Sequence, residues 1–584
     1  MEQEKIIETK TCKLCSVSFD ITDKDLEFYN KVSPVFNSEK YSIPAPTLCP
    51  DCRQQRRLSF RNERKLYHRK CDLTWKQIIS VYSPDKPFKV YEQAEWWSDK
   101  WDPKDYSRDF DFSKGFFEQF AELQLDVPRV SLYVDDTCTN CDFTNQVSHC
   151  KDWYLIISCS STERCMYSKR VNDSEDCVDC FFGIKSRVCY ECSGVLGCNN
   201  CFYVTKSISC SYSSFLHNCE WCSNCFFCVN LTNKSYCIYN KEYPKDEYEM
   251  KIKEILSKRN INDFRDEFNK FKLGFPNKNL DVKNVENVIG NNVQNAKDSY
   301  LVFDATNIEN IKFWQFVQDS VDLYDADYVC CNSTLSYEVV SGWIDMYNCL
   351  FWIDIWPVVN NLIYCDACNT NSSYLFGCIG LRNAKYCILN KQYTKEQYEE
   401  LVPKIIEQMK ENKEWWEFFP SSLSPFWYNE TIANDYYPIE RRDAINHAST
   451  DGKAIFKWSD YEKQNWYEWE YYTPLQISEY KEESVWKELA FKNTTELLRW
   501  IMKCEISSKP FRIIKQELEF YIKHNLSIPR RHPDQRHLDR MSSWGQIKLF
   551  DRTCDKCNKP IKTVYSPEKP EIVYCEECYA KVVY

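Results

Sequence analysis

The sequence predicts a mainly β protein: two parallel β-solenoid (β-helix) segments with capping helices, flanked by ribbon modules at both ends. Three observations predict it. Cys-x2-Cys pairs stand near each terminus, cysteines between 131 and 243 recur at a fixed interval, and the motif closing that ladder returns 150 residues later. A chain of 584 residues exceeds one ordinary core, so several domains are expected. With 34 Cys, 16% aromatic residues and only 11 Gly, the composition is that of densely packed, ordered structure.

At the C-terminal end, Cys554-x2-Cys557 and Cys575-x2-Cys578 flank 561–574, which reads as a hairpin around Ser566-Pro567. Four thiolates on two knuckles suit a tetrahedral zinc ion, which favours soft sulfur. The N-terminal end has a second complete set, Cys12-x2-Cys15 and Cys49-x2-Cys52, so two Zn2+ per chain are expected. Residues 69–91 repeat 552–574 at a constant offset of 483, but the ligand positions now hold Cys71, Thr74, Glu92 and Glu95. That set binds zinc poorly, and packing is expected to hold this copy, with Trp96 and Trp97 as candidates. Upstream the reverse holds. Leu26-Glu27-Phe28-Tyr29 returns as Leu518-Glu519-Phe520-Tyr521, while the ligand positions have become Cys504, Ser507, His532 and Gln535. Each end thus carries one intact and one degenerate ribbon, in opposite order.

Cys12-x2-Cys15, Phe19, Glu27-Phe28-Tyr29 and Leu48-Cys49-x2-Cys52-Arg53-x2-Arg56-Arg57 together resemble the bacterial probable zinc-ribbon domain of treble-clef type. The likeness covers about 10–60 and, in degenerate form, 502–545. The whole chain resembles uncharacterised cysteine-rich zinc-ribbon proteins of candidate-phylum bacteria. The resemblance implies zinc at Cys12, Cys15, Cys49 and Cys52, and it implies no activity.

A basic stretch follows the first ribbon: Arg53, Arg56, Arg57, Arg61, Arg64, Lys65, Arg69 and Lys70. The C-terminal copy keeps Arg530, Arg531, Arg536, Arg540, Lys548 and Arg552. Guanidinium forks pair bidentately with phosphate oxygens, and Phe60, Tyr67 and His68 could stack on unpaired bases. Nucleic acid is the favoured partner of these residues. An acidic protein partner and internal ion pairing are the alternatives.

Between the ends, Cys138, Cys159, Cys180, Cys201 and Cys222 stand 21 apart, as do Cys177, Cys198 and Cys219. A 21-residue coil with three seven-residue faces would stack equivalent cysteines about 4.8 Å apart. Small thiols in a narrow core are the favoured reading. Additional metal at the Cys-x2-Cys pairs is the alternative; against it, i and i+3 of an extended strand face opposite ways and converge only at a corner. The motif 233–243 returns as 383–393, and each copy leads into a helix, the second with a Thr394/Gln397 capping box. The second solenoid keeps the period in Asp298/Asp319, Ser299/Ser320 and Asp304/Asp325 while losing most cysteines.

The expected order is ribbon 1 with its basic segment (10–66), degenerate ribbon 2 (67–100), aromatic connector (101–130), first solenoid (131–243) and helical linker (244–284). The second solenoid (285–393), capping helix (394–412), second aromatic connector (413–500), degenerate ribbon 1 copy (501–550) and ribbon 2 copy (551–584) follow.

A net charge of -11 excludes a polycation. The start Met1-Glu2-Gln3-Glu4-Lys5 has no signal-peptide core, and the most apolar stretch, 350–364, is broken by Asp354 and Pro357. A cytoplasmic location without membrane contact is the expectation. No phosphate-binding Gly loop, Gly-x-Ser-x-Gly or His-Glu-x2-His occurs, and no catalytic residue is assigned. Asp304, Asp322, Asp325 and Asp327 are the sole candidates for carbohydrate chemistry on a β-helix. The leading expectation is a non-enzymatic zinc-binding scaffold that binds RNA or a ribonucleoprotein through the basic segments. A protein–protein adaptor using the same surfaces without nucleic acid is the alternative, with the aromatic connectors as further candidate partner sites, and a β-helix enzyme acting on carbohydrate the second.

Overall fold

The computed structural model describes residues 4–258, 261–309, 312–315, 320–321, 327, 333–340, 346–351, 358–446, 455–461, 471, 498–544 and 547–583. They form a mainly β architecture with two parallel solenoids. The chain divides into two compact units, Met1–Leu132 with Leu280–Ser459 and Tyr133–Asn279 with Asp460–Tyr584. Each unit therefore joins a ribbon pair to the solenoid that is not its neighbour in sequence.

The coil of the first solenoid is 12 residues, not 21. Cys177 pairs with Cys189, Phe181 with Ser193, and Asn199 with Ser211, all in parallel. From Asn140 to Tyr239, nearly every third residue turns a corner in the left-handed region, with φ close to +50°. Four corners of three residues make one square coil. The residue after each corner points inward, so all solenoid cysteines from Cys138 to Cys237 share one three-residue phase. Because 21 is also a multiple of three, the 21-residue spacing joined cysteines on different sides. The same geometry brings Cys-x2-Cys pairs to face inward together, which an extended strand would forbid.

Left-handed backbone costs an ordinary residue roughly 1–2 kcal/mol, which explains the Asn and Asp at many corners. Their side chains also ladder from coil to coil: Asn140 Nδ2 donates to Asp152 Oδ1 at 2.9 Å, and Asn218 Nδ2 to Asn230 Oδ1 at 2.8 Å. Four small inward side chains fill each coil, which suits Cys, Ser and Val. The thiols donate to carbonyls nine residues on, as Cys192 does to Cys201 O at 3.2 Å and Cys201 to Cys210 O at 3.4 Å.

In the other unit the second solenoid starts on a 12-residue coil (Tyr300 with Lys312), then runs at 13 (Met346 with Val359, Val359 with Ser372) and returns to 12 (Leu375 with Cys387). Each added residue shifts the inward phase by one. Leu362, Cys365 and Cys368 in one coil therefore sit beside Leu375, Cys378 and Leu381 in the next, all fully buried.

Both solenoids end in the same way. Asn240 bonds the N–H and C=O of Val229 at 2.8 and 2.9 Å, and Asn390 repeats this on Ile379 at 2.8 and 2.9 Å. These side chains close backbone groups that would otherwise form an open edge. Helices Lys245–Lys258 and Lys395–Glu411 follow, the latter with the expected Thr394/Gln397 box. Each docks by one T-shaped ring pair, Tyr236–Tyr248 at 5.6 Å and Tyr386–Tyr398 at 5.8 Å.

Several of the described connector rings are core residues of the unit they belong to, while Phe112 is exposed. Phe116 and Phe120 of helix Phe116–Asp126 are buried with Trp415, Phe418 and Phe419, and Phe351, Tyr364 and Phe376 receive them. No helix among the described residues is long and apolar enough to cross a membrane.

Candidate metal centres and the docked arginines

In each intact ribbon a hairpin presents the first two cysteines and a helix start the second two. Strands Ile6–Thr11 and Ser18–Thr22 carry Cys12 and Cys15 at their turn. Cys49 caps helix Pro50–Leu58, whose first turn holds Cys52. At the other end, strands Phe550–Thr553 and Pro560–Thr563 pair antiparallel around Cys554 and Cys557, while Cys575 precedes helix Glu576–Val583. The expected hairpin around Ser566-Pro567 is corrected. The strand partner lies upstream of the knuckle, and Val573–Tyr574 pairs in parallel with Asn277–Lys278.

Among the described residues, the two groups able to hold a metal ion are Cys12, Cys15, Cys49 and Cys52, and Cys554, Cys557, Cys575 and Cys578, with each set of Sγ atoms within 4.8 Å. A tetrahedron with metal–sulfur bonds of about 2.3 Å has edges of about 3.8 Å. The Cys557–Cys575 and Cys15–Cys49 sulfur separations, 3.7 and 3.5 Å, fit that edge. At each site one thiol is lowered while neighbours in the same set, Cys15 and Cys52 at one and Cys578 at the other, are raised by burial and by the adjacent sulfurs. The Cys52 thiol beside it holds Cys49 down at about 5. Burial raises Cys554, but backbone N–H groups led by that of Cys575 (3.2 Å) outweigh it and hold the thiol at about 6.

The degenerate ribbons keep the fold without the ligands. Glu92 N still donates to Cys71 Sγ at 3.3 Å, matching Cys575 N on Cys554. Trp96 is buried and donates to Pro128 O at 3.0 Å, with Arg382 stacked over it, whereas Trp97 is partly exposed. In the other copy Ser507 N donates to Cys504 Sγ at 3.5 Å, and His532 Nδ1 accepts from Asp534 N at 3.0 Å instead of facing a metal.

The arginines of the basic stretch are mostly buried and paired within their units. Arg53, Arg56, Arg57, Arg61 and Arg69 are between 0% and 8% exposed, Arg536 and Arg540 are 1% and 3%. Arg57 Nε meets Asp327 Oδ2 at 2.6 Å, and Arg56 donates to Glu338 at 2.8 Å and Glu417 at 3.1 Å. Arg53 donates to Leu48 O, Arg61 pairs with Glu63 and Arg69 with Asp72. In the second unit Arg540 bonds Asp179 at 2.8 Å, and Arg536 bonds Asp179 and Glu517. Arg531 pairs with Glu505 and Asp539 at 2.8 and 2.6 Å. Arg64, Lys65, Arg530 and Arg531 are half-buried. The physical reason is the acidic remainder of the chain, which places carboxylates on the solenoids where these helices dock.

The docking repeats in both units. Arg57 and Arg540 are equivalent at the offset of 483, and each reaches a buried solenoid aspartate. Tyr29 and Tyr521 correspond through the Leu-Glu-Phe-Tyr motif, at an offset of 492, and each sets its ring edge-on against a solenoid tyrosine, Tyr337 at 5.3 Å and Tyr190 at 5.8 Å. Of the aspartate row, Asp327 is the partner of Arg57 and buried Asp304 accepts from Asn292 Nδ2 at 2.9 Å. Asp322 and Asp325 lie outside the described residues. The receptors Asp179, Asp327, Glu338 and Glu191, the last 3.7 Å from Arg540, were not anticipated in that role. In a 12-residue frame Asp179 and Glu191 interrupt a corner column of Leu155, Tyr167, Tyr203, Phe215 and Phe227, a signal hidden by the 21-residue frame.

No family model, curated protein or solved structure matches the chain. The ribbons therefore stand on the geometry of their cysteines.

Proposed function

We propose that the protein is a non-enzymatic, zinc-braced scaffold in which each tetra-cysteine site locks a ribbon onto a solenoid and the outer solenoid faces receive protein partners. One observation carries this reading: the helix at each metal centre also grips the solenoid of its unit. Helix Pro50–Leu58, which begins at Cys49, carries Arg57 to Asp327. Helix Glu576–Val583, which follows Cys575, carries Tyr579, whose hydroxyl contacts Asn218 and Asn230 at 2.5 and 3.1 Å. Four thiolates at tetrahedral spacing favour zinc over harder cations.

RNA binding through Arg53, Arg56, Arg57, Arg61, Arg69, Arg536 and Arg540 loses its support, because a buried, paired guanidinium cannot reach a phosphate. Crosslinking of the full chain in its host tests the reading, with peptides mapped and both protein and RNA adducts sequenced. Protein adducts on solenoid peptides, retained at high salt, are expected. RNA adducts at 53–70 or 530–552, weakening steeply with salt, would replace the adaptor with the RNA reading.

A further inference from the structure

The four ribbons share one turn, and one ribbon breaks its chemistry. The fourth residue after the first cysteine of each knuckle, Ser16, Trp75, Ser508 or Asn558, donates its N–H to the carbonyl of that cysteine at 2.8–3.0 Å and stands in the left-handed region, with φ between +58° and +62°. A small polar residue suits this corner, and a bulky one is costly there. Bulky corners of the first solenoid, such as Tyr167 and Phe215, offset that cost by burial. Trp75 does not: it is 71% exposed, more than any other large apolar side chain among the described residues. A residue that breaks the local rule without a packing gain points to a use outside the fold.

The surroundings of Trp75 have changed charge as well. At the offset of 483, Asp551, Thr553 and Asn558 of the intact ribbon correspond to His68, Lys70 and Trp75. His68 and Lys70 share the exposed face of strand Tyr67–Lys70, and Lys76, also exposed, follows the tip. Glu92 lies 3.7 Å from Lys76, while the carboxylate of Asp72 is taken by Val90 N and Arg69 at 2.7 and 3.0 Å. We propose that this hairpin tip binds single-stranded nucleic acid, with Trp75 as the platform for an unpaired base and Lys70 and Lys76 as contacts to the flanking phosphates. A duplex keeps its ring faces stacked inside and offers none to Trp75. The buried arginines take no part.

The test is fluorescence anisotropy of a short labelled oligouridylate titrated with the zinc-loaded full chain over a range of salt, with a duplex as competitor. Saturable binding is expected, with a log–log salt slope of about −1.4 for two phosphates on a single strand. Trp75→Asn, which copies Asn558, should weaken binding at least about fivefold and raise the melting temperature, since Asn suits the corner. K70Q/K76Q should flatten the salt slope. Trp221→Asn, at an exposed corner of the first solenoid, should leave binding unchanged. No saturable binding by the intact chain, unchanged binding in W75N or K70Q/K76Q, a lower melting temperature in W75N, an equal loss in W221N, or competition by the duplex as strong as by the single strand would each overturn the site. None of these results bears on the zinc-braced scaffold, whose test reads protein adducts on solenoid peptides; a nucleic-acid adduct of this site falls on 71–76, outside 53–70.

Discussion

Replacing Arg57 by Met tests whether the ribbon is locked to its solenoid by a buried ion pair. Both side chains of the Arg57–Asp327 pair are fully buried, and Nε and Oδ2 are 2.6 Å apart. Met fills the arginine stem but leaves a carboxylate in low dielectric without its cation, and breaking such a pair costs about 3–5 kcal/mol. At about 1.4 kcal/mol per factor of ten, amide protection in 50–58 should fall by roughly two to three and a half decades in peptide-resolved hydrogen exchange. The second-site variant R57M/D327L removes both charges and should recover most of the loss, since apolar replacements of buried pairs are often neutral. Arg540→Met should cost less, about 1.5–3 kcal/mol, because Arg536 still bonds Asp179. A fall below fivefold in R57M, or no recovery in the double variant, would show that the pair does not hold the ribbon.

Three other outcomes follow. Metal analysis of the purified chain should give two zinc ions, with Cys15→Ser and Cys557→Ser each removing one independently; any shared loss would contradict separate centres. His217 is held neutral, at about 3, by burial and by the charges of Lys272 and Lys206. The unfolded chain then binds more protons between its ordinary value of 6.5 and 3, so stability is present above 6.5 and lost as pH falls through that window; His217→Gln should flatten the acid limb of a thermal-melt pH profile. Asn240→Ala and Asn390→Ala each leave a buried N–H and C=O unpaired at a solenoid end. Each should cost about 1–3 kcal/mol, with the faster exchange starting in the last coil of that solenoid alone.

The two tetra-cysteine groups were legible because Cys-x2-Cys pairs mark candidate metal ligands by type and local spacing, and both sets converge in space. The loss of ligands in the degenerate copies was readable for the same reason. The basic stretch was legible as charge but not as surface. Sequence shows that Arg53, Arg56 and Arg57 share a helix; it does not show that Asp327 and Glu338, some 270 residues away, meet them. The internal duplication held the clue. Arg57 and Arg540 persist through the duplication although their ribbons kept different metal sites, as expected of a role inside both units.

The solenoid period shows how a correct repeat can be read at the wrong length. A coil with one inward residue in three permits core cysteine only on that phase, so any two cysteines of the first solenoid are a multiple of three apart. Spacings of 12, as in Cys165/Cys177, Cys177/Cys189, Cys198/Cys210 and Cys225/Cys237, are at least as frequent as spacings of 21. Cysteine positions alone could not choose between them. The choice lay in the corners: left-handed backbone favours Asn and Asp, and Asn218/Asn230 and Asn140/Asp152 repeat at 12. The second solenoid hid its period further, because its 13-residue coils move the inward phase and leave a ladder only between insertions. Corner chemistry sets the length of this coil, and core chemistry fixes only its three-residue step. Lengthening one coil of the first solenoid by a single inserted residue at a corner should therefore be tolerated as it is in the second, while an insertion beside an inward cysteine should unfold the coil. Hydrogen exchange across 175–230 separates the two, and equal loss for both insertions would refute the square-coil account.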